Sequence, residues 1–326
     1  MAESRLISWL LVAAACGLDR LIGDPRWCLH PVQVMGWCIA RLQAVAEGLA
    51  GDRPWALRLA GVCITLLLVG GSSSAGMAVE QACRQLPWLL PVLLLALASA
   101  LAGRSLRLAV EQVLQPLRAE PSDLEAARQR LAWIVGRDVE GLPARELLRA
   151  AAETASENAV DGLFAPLFWM LLGATLWSID PGLPGPLALA WGFKASSTLD
   201  SMLGYRRGRL RWLGTAGARL DDGLTWLPCR LVALNLKQLG PALCDGASDP
   251  SPNAGVSQAA YARAVGVQLG GVNRYNGQPQ SKPVLNRDAG PVTPAAVEQM
   301  LQLSQRMSLQ WLGWSGAGIA LLSAIQ

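Results

Sequence analysis

Histidine is nearly absent from this chain of 326 residues: His30 is the single one. A His-based zinc site or a Ser-His-Asp triad therefore has at most one member here. Seven cysteines, at positions 16, 28, 38, 63, 83, 229 and 244, form no CxxC pair and no Cys/His cluster. Scattered in apolar runs, they read as small hydrophobes rather than ligands or disulfide partners. Phe and Tyr number three each. Charge is scarce too, at 16% Asp, Glu, Lys and Arg, against about 25% in soluble domains. No G-x-x-x-x-G-K-[ST] phosphate loop, kinase-type glycine loop or internal repeat is present. Metal chemistry, if the chain performs any, must then use oxygen ligands, and nothing in the composition points to nucleic acid.

What is abundant is apolar surface. Hydrophobic residues make up 52% of the chain, and Trp alone contributes 13, a usage that suits aromatic belts at lipid interfaces. Trp88 to Gly103, Gly162 to Ile179 and Ser308 to Gln326 carry no charge, and such runs approach the roughly 17–25 residues that span a bilayer. The expected architecture is an all-α polytopic integral membrane protein with about six spans, at 6–22, 57–79, 86–103, 162–180, 183–199 and 308–325. Leu6 to Leu18 runs straight into Asp19-Arg20 with no clear small-residue cleavage site, so it reads as a retained helix rather than a leader. Arginine-rich stretches at 20–55, 104–149 and 206–219 orient these segments: the positive-inside rule puts them in the cytoplasm and the N-terminus outside. The stretch 223–240, interrupted by Arg230 and Lys237, reads as interfacial or re-entrant. The chain is expected to form one membrane-embedded domain over 1–326. It carries a cytoplasmic helical segment at 104–160, with a Ser122-Asp123-Leu124-Glu125 cap, and a cytoplasmic loop/helix segment at 245–305.

Several charged constellations stand out. Glu153, Glu157 and Asp161 fall at i, i+4 and i+8, on one helix face at a membrane entry point. Like charges at that spacing repel, so the column calls for a cation, and hard oxygen ligands suit Mg²⁺. Alternatively Arg149 satisfies Glu153 and the rest is a solvated face. Lys194 and Asp200 lie near the end of an apolar helix, followed by Tyr205 and Arg206. Lys194 is placed either for function or to snorkel to the interface. Adjacent Asp221 and Asp222 repel and require a metal or an arginine partner, for which Arg219 is the nearest candidate. Asp24-Pro25 reads as a turn, with His30 a few residues on. Ser251-Pro252-Asn253 followed by Gly255, and Gly270-Gly271 followed by Tyr275, are short loops that hold either an anion at a helix start or ordinary turns.

In this order the motifs resemble the adenosylcobinamide-phosphate synthase family of cobalamin-biosynthesis membrane proteins. The matching stretches are Leu18-Asp19-Arg20-Leu21-Ile22-Gly23-Asp24-Pro25 with His30-Pro31-Val32, Glu157-Asn158 with Asp161-Gly162, Thr198-Leu199-Asp200-Ser201-Met202 with Gly204-Tyr205-Arg206, Ala218-Arg219-Leu220-Asp221-Asp222, and Ser251-Pro252-Asn253-Ala254-Gly255 with Leu269-Gly270-Gly271. The chain departs from the family pattern at Ser197, at Thr225-Trp226 and at Asn273-Arg274-Tyr275-Asn276. The resemblance implies a ligase on the cytoplasmic face of the cell inner membrane. It would condense adenosylcobyric acid with (R)-1-aminopropan-2-ol phosphate, or ethanolamine phosphate, using ATP as co-substrate and Mg²⁺ as cofactor. It further implies that Glu157, Asp161, Asp200, Asp221 and Asp222 hold metal and carry catalysis. Lys194, Arg206 and Arg219 would clamp phosphate, with Asn158, Tyr205, His30, Asn253, Gly270 and Gly271 around the substrate. Membrane lipids and other nucleotide-loop assembly enzymes are the expected neighbours.

Two other readings compete. A CDP-alcohol-type membrane phosphotransferase also uses Asp-rich helices and Mg²⁺, but Asp161-Gly162 is followed here by Leu-Phe-Ala-Pro, which breaks that signature. A transporter or a scaffold for corrinoid assembly would account for charges in helices, yet the paired repeats common in transporters are absent.

Overall fold

Proline at the first turn opens the helices that begin at Pro31, Pro54 and Pro186, where its fixed φ and missing N–H suit a helix start. The structure, a computed structural model, describes residues 2–23, 30–119 and 122–324. Its elements are α1 (Ala2–Leu21), α2 (Pro31–Ala50), α3 (Pro54–Gln85), α4 (Leu90–Ala98), α5 (Gly103–Arg118), α6 (Leu124–Ala132), α7 (Ala144–Ala159), α8 (Ala165–Ile179), α9 (Pro186–Leu203), α10 (Leu210–Leu213), α11 (Thr215–Asn235), α12 (Leu239–Gly246), α13 (Ala254–Val265), β1 (Leu269–Tyr275), β2 (Gln278–Leu285) and α14 (Pro294–Ala324). A π-helical turn, Val160–Phe164, joins α7 to α8. The chain divides into two compact units where one domain was expected. The first comprises 1–102, 165–224 and 311–326, and the second 103–164 and 225–310. Both segments singled out from the sequence, 104–160 and 245–305, fall essentially within the second unit.

In the first unit α3 packs along α9, and small residues set how closely. A Cβ on Gly76 would stand 2.8 Å from the backbone of Ala188, and one on Gly192 would stand 2.3 Å from Ser73 Oγ. This is the small-residue packing that lets apolar helices approach where burial alone gives little drive. It also explains the Ser72-Ser73-Ser74 run inside an otherwise apolar helix. Ile39, Leu57, Ile64, Leu199 and Leu213 fill the core around this contact. Buried Glu80 of α3 accepts the N–H groups of Gly185, Leu187 and Ala188 at the start of α9.

In the second unit α5, α6 and α7 enclose Val113, Ala127, Leu131, Leu147 and Ala151. The cap of α6 is Asp123, whose Oδ1 accepts the Ala126 N–H at 3.0 Å, while Ser122 donates to Leu117 O. The all-α expectation is corrected here by an antiparallel hairpin, β1–β2. Asn276 (φ 50°) and Gly277 (φ 77°) form its two-residue turn, the Asn-Gly chemistry that matches hairpin twist. Asp138 clamps that turn by accepting the N–H groups of Asn276 (3.1 Å) and Gly277 (2.7 Å).

Among the described residues two helical stretches are long and apolar enough to cross a membrane, Pro54–Gln85 and Ala144–Ile179. A third arises if Pro87–Ala98 and Gly103–Arg118, bent by 42°, count as one span. These cover the expected spans at 57–79, 162–180 and 86–103. The stretches 6–22, 183–199 and 308–325 fall largely in helices α1, α9 and α14, which are long enough but carry too much charge or too little apolarity to count as spans. The doubtful stretch 223–240 is the second half of α11, which contains Pro228 and ends at Asn235.

Candidate functional site

The first unit gathers Lys194, Asp200, Asp221, Asp222 and Arg206. Lys194 and Asp200 sit two turns apart on α9, and the paired Asp residues sit on α11. Gly217 of α11 lies against Leu199, where a Cβ would stand 3.0 Å from the Leu199 Cβ. The two helices thus meet at the level of Asp200. Burial pushes the Asp221 carboxyl up to about 7, the charges of Asp200 and Asp222 push the same way, and Lys194 opposes them. Asp222 is raised by burial and pulled back by Arg206. The cations acting on the pair are therefore Lys194 on Asp221 and Arg206 on Asp222. Arg219, the candidate named from sequence, is exposed and makes no ion pair among the described residues. Asp221 Oδ1 is buried with no hydrogen-bond partner among the described residues. Asp200 folds back over the end of its own helix, where a Cβ on Gly204 would stand 2.1 Å from its Oδ1. Tyr205 is exposed, with the Arg207 guanidinium 5.0 Å from its ring centre.

The second unit holds the other carboxylates. Glu153 is saturated: Arg149 donates to Oε1 at 2.9 Å, Arg137 donates to Oε2, and the Gly270 N–H donates to Oε1 at 2.9 Å. The structural alternative posed for this residue therefore holds. Glu157 Oε2 accepts from Gln258 Nε2 at 2.7 Å, and its charged neighbours are Lys282, Asp249 and Glu153. Glu157 and Asn158 line a polar cavity of about 230 Å³ together with Gln258, Asn273, Tyr275 and Lys282. Asp161 is not in that lining. It lies in the π turn, where the wider winding ends the i, i+4 column.

His30 caps α2, its Nδ1 accepting the Val32 N–H at 3.3 Å. Asp24 and Pro25 lie outside the described residues. Asn253 is buried; Arg230 donates to its Oδ1 at 2.5 Å, and Cys229 donates to its carbonyl. Gly270 (φ 79°) sits at a bulge in the hairpin, where a Cβ would stand 1.8 Å from Pro283 O. Gly271 borders a second cavity of about 260 Å³ with Arg145 and Arg149. Thr225 is buried and its Oγ1 finds no partner among the described residues. Cys16, Cys38, Cys63, Cys83, Cys229 and Cys244 are free thiols.

The sequence profile described as CobD/Cbib protein matches residues 12–304. The chain belongs to the CobD/CbiB family. Cobalamin biosynthesis protein CobD of Synechocystis is 39% identical over 331 residues, covering 98% of this chain and 94% of its own. The CobD of Pelobacter propionicus is 35% identical, covering 97% and 96%. CbiB of Salmonella typhimurium is 37% identical, covering 85% and 86%. No solved structure is a significant match. CobD/CbiB proteins act in cobalamin biosynthesis, and the carboxylate groups described above lie within the matched region.

Among the described residues no three His, Cys, Asp or Glu side chains converge as a ready metal cage. Mg²⁺ asks for less: it keeps several waters and binds through one or two carboxylates plus substrate phosphates. Asp200, Asp221 and Asp222 fit that limited role, because Asp221 presents a buried oxygen that no protein donor satisfies. Lys282, Gln258 and Arg137 were missed from the sequence. They stand on segments distant in the chain and belong to no motif, and only the polar character of 251–282 points towards Gln258 and Lys282.

Proposed function

We propose that this chain is an adenosylcobinamide-phosphate synthase. It condenses a propionate carboxylate of adenosylcobyric acid with the amine of (R)-1-aminopropan-2-ol O-phosphate, or of ethanolamine phosphate, at the expense of ATP. Support comes from family membership and from one observation above all: three carboxylates on α9 and α11 set beside Lys194 and Arg206, with one buried oxygen left without a donor. Such a group is matched to phosphoryl transfer, in which catalysis is mostly positioning and charge stabilisation.

The propionate oxygen attacks the γ-phosphorus of ATP, the bridging bond to ADP breaks, and an acyl phosphate forms. The amine nitrogen then attacks the acyl carbon, phosphate leaves with the bonding pair, and the amine gives up a proton. Lys194 and Arg206 hold the transferring phosphoryl oxygens as point charge and fork. Asp221 and Asp222, with Asp200, would hold Mg²⁺, which would supply neutralisation of charge on the phosphate oxygens. The arginine-rich stretches at 20–55, 104–149 and 206–219 support a cytoplasmic face for the reaction.

The test is turnover by the purified chain in detergent with adenosylcobyric acid, the amine phosphate, ATP and Mg²⁺, read by mass spectrometry. The expected product is heavier by the condensed arm and does not form without Mg²⁺. Asp200→Asn should lower turnover by about 10²–10³-fold, on the order of what removal of one key electrostatic group costs, with the unfolding temperature unchanged. Wild-type rates in that variant would remove the carboxylate cluster from the mechanism.

A further inference from the structure

The cavity in the second unit has a chemistry distinct from the carboxylate cluster of the first. Its about 230 Å³ lies below the roughly 300–1,000 Å³ of pockets that take drug-sized ligands. A corrinoid macrocycle or a whole nucleotide does not fit such a space; a molecule of a few heavy atoms does. Four elements build it. Glu157 and Asn158 come from α7, Gln258 from α13, Tyr275 from β1 and Lys282 from β2.

The charges in its wall are not all spent. Glu153 and Arg137 neutralise each other, so they contribute walls rather than ligand contacts. Glu157 has one oxygen engaged by a neutral amide, Gln258 Nε2, and no ion pair within 4.0 Å among the described residues. The Lys282 ammonium lies 3.7 Å from Asp249 Oδ2, beyond hydrogen-bond length. Asp249 meanwhile accepts the Ser251 N–H through Oδ1 at 2.9 Å. One carboxylate and one ammonium thus line a small polar space and act on each other: Lys282 is held by Asp249 in an ion pair longer than a hydrogen bond, and Glu157 has only the Gln258 amide beside it. Burying a carboxylate beside no cation is costly, so Glu157 calls for the ammonium of a ligand, while Lys282, whose pair with Asp249 is stretched to 3.7 Å, keeps donors for that ligand's anionic end.

We infer that this cavity binds the small zwitterionic substrate, an amino-alcohol phosphate. Lys282 and the Tyr275 hydroxyl meet the phosphate, and Glu157, oriented by Gln258, meets the ammonium. This assignment rests on the condensation proposed above. It gives Glu157 the amine rather than Mg²⁺ as its partner and makes Lys282 a specificity-determining residue.

Binding is measured without turnover, by phosphorus NMR line-broadening and calorimetry of ethanolamine phosphate titrated into the full chain in detergent. Lys282→Gln should weaken binding of ethanolamine phosphate at least 30-fold while unphosphorylated ethanolamine is unaffected. Glu157→Gln should weaken both amines and leave inorganic phosphate unchanged. In the coupled assay Lys282→Gln should raise KM for the amine phosphate and leave KM for ATP unchanged, with Lys282→Arg restoring part of the loss. Unfolding temperatures equal to wild type keep these readings from reflecting damage to the fold. Binding equal to wild type in Lys282→Gln overturns the assignment, and so does a KM increase for ATP alone. If ethanolamine phosphate binds as expected but no amide forms with any corrinoid, the subsite stands and the condensation falls. If amide forms and neither variant changes KM for the amine, the condensation stands and the subsite falls.

Discussion

Glu80 should be the residue of the first unit whose loss is felt most strongly in stability, although it touches none of the residues assigned to chemistry. Its carboxylate is 1% exposed. It accepts N–H groups from Leu187 at 2.6 Å, Gly185 at 3.2 Å and Ala188 at 3.4 Å. Those amides are orphans of the first turn of α9, which opens on Gly185 and Pro186 with no side-chain cap of its own. The interaction is a helix cap delivered from another helix, and the negative charge also meets the positive end of the α9 dipole. Loss of an ordinary cap costs about 0.5–2 kcal/mol, and a hydrogen bond to a charged acceptor contributes about 1.5–3 kcal/mol. Against this stands the relief of desolvating a carboxylate. The net expectation for Glu80→Ala is about 2–4 kcal/mol, at the upper end because the freed amides stay buried. Glu80→Gln keeps one acceptor oxygen and should lose about half as much. The assay is thermal unfolding in detergent paired with hydrogen exchange at the amides of 185–188. Alanine should lower the midpoint and speed exchange at those amides first. Unchanged exchange together with an unchanged midpoint would refute the capping argument, since the loss must then be replaced by water that this site does not admit.

The remaining expectations are independent of it. Gly204→Ala places a Cβ 2.1 Å from Asp200 Oδ1 and 2.5 Å from the Asp200 carbonyl. It should cost about 1–3 kcal/mol, as overpacking does, and reduce turnover by displacing the carboxylate; full activity at unchanged stability would argue that Asp200 need not stay in place. The hydrogen bond from Arg263 holds the Asp245 carboxyl below the usual carboxylate range. Stability from this pair is therefore present above about pH 4, the unfolded value, and lost as pH falls through the lower folded value. Asp245→Asn should flatten the acid limb of the stability profile, and an identical acid limb would show that the pair contributes nothing. Arg149→Met removes one donor from each of two carboxylates, Glu146 and Glu153, and from the carbonyls of Gly270 and Val272; losing a buried partner costs about 3–5 kcal/mol. Hydrogen exchange along β1 should rise, whereas protection equal to wild type would mean that the hairpin holds without α7.

How much of this was legible in the sequence depended on the distance over which each feature is built. The Asp221-Asp222 pair and Asp200 announced themselves because charge in an apolar context has few innocent explanations. The structure places them on helices that meet at Gly217 and Leu199. Glu153 carried the same signal for a different reason: its charge is consumed by Arg137 and Arg149, and nothing local distinguishes a structural carboxylate from one waiting for a ligand. Glu80 shows the limit most clearly. Its partners lie 105 to 108 positions away, and a lone acid near a helix end reads as solvated until α9 arrives against it. The hairpin is the opposite case. Asn276-Gly277 was a local signal for a tight turn, yet the flanking strands are polar and were read as loop. Residues that act through short-range rules were readable, then, even where the reading erred. Lys282 and Gln258 owe their roles to the packing of β2 and α13 around α7, so a motif search does not find them. The Lys282 titration thus tests chemistry that the sequence alone did not disclose, and the Asp200 variant tests chemistry that it did.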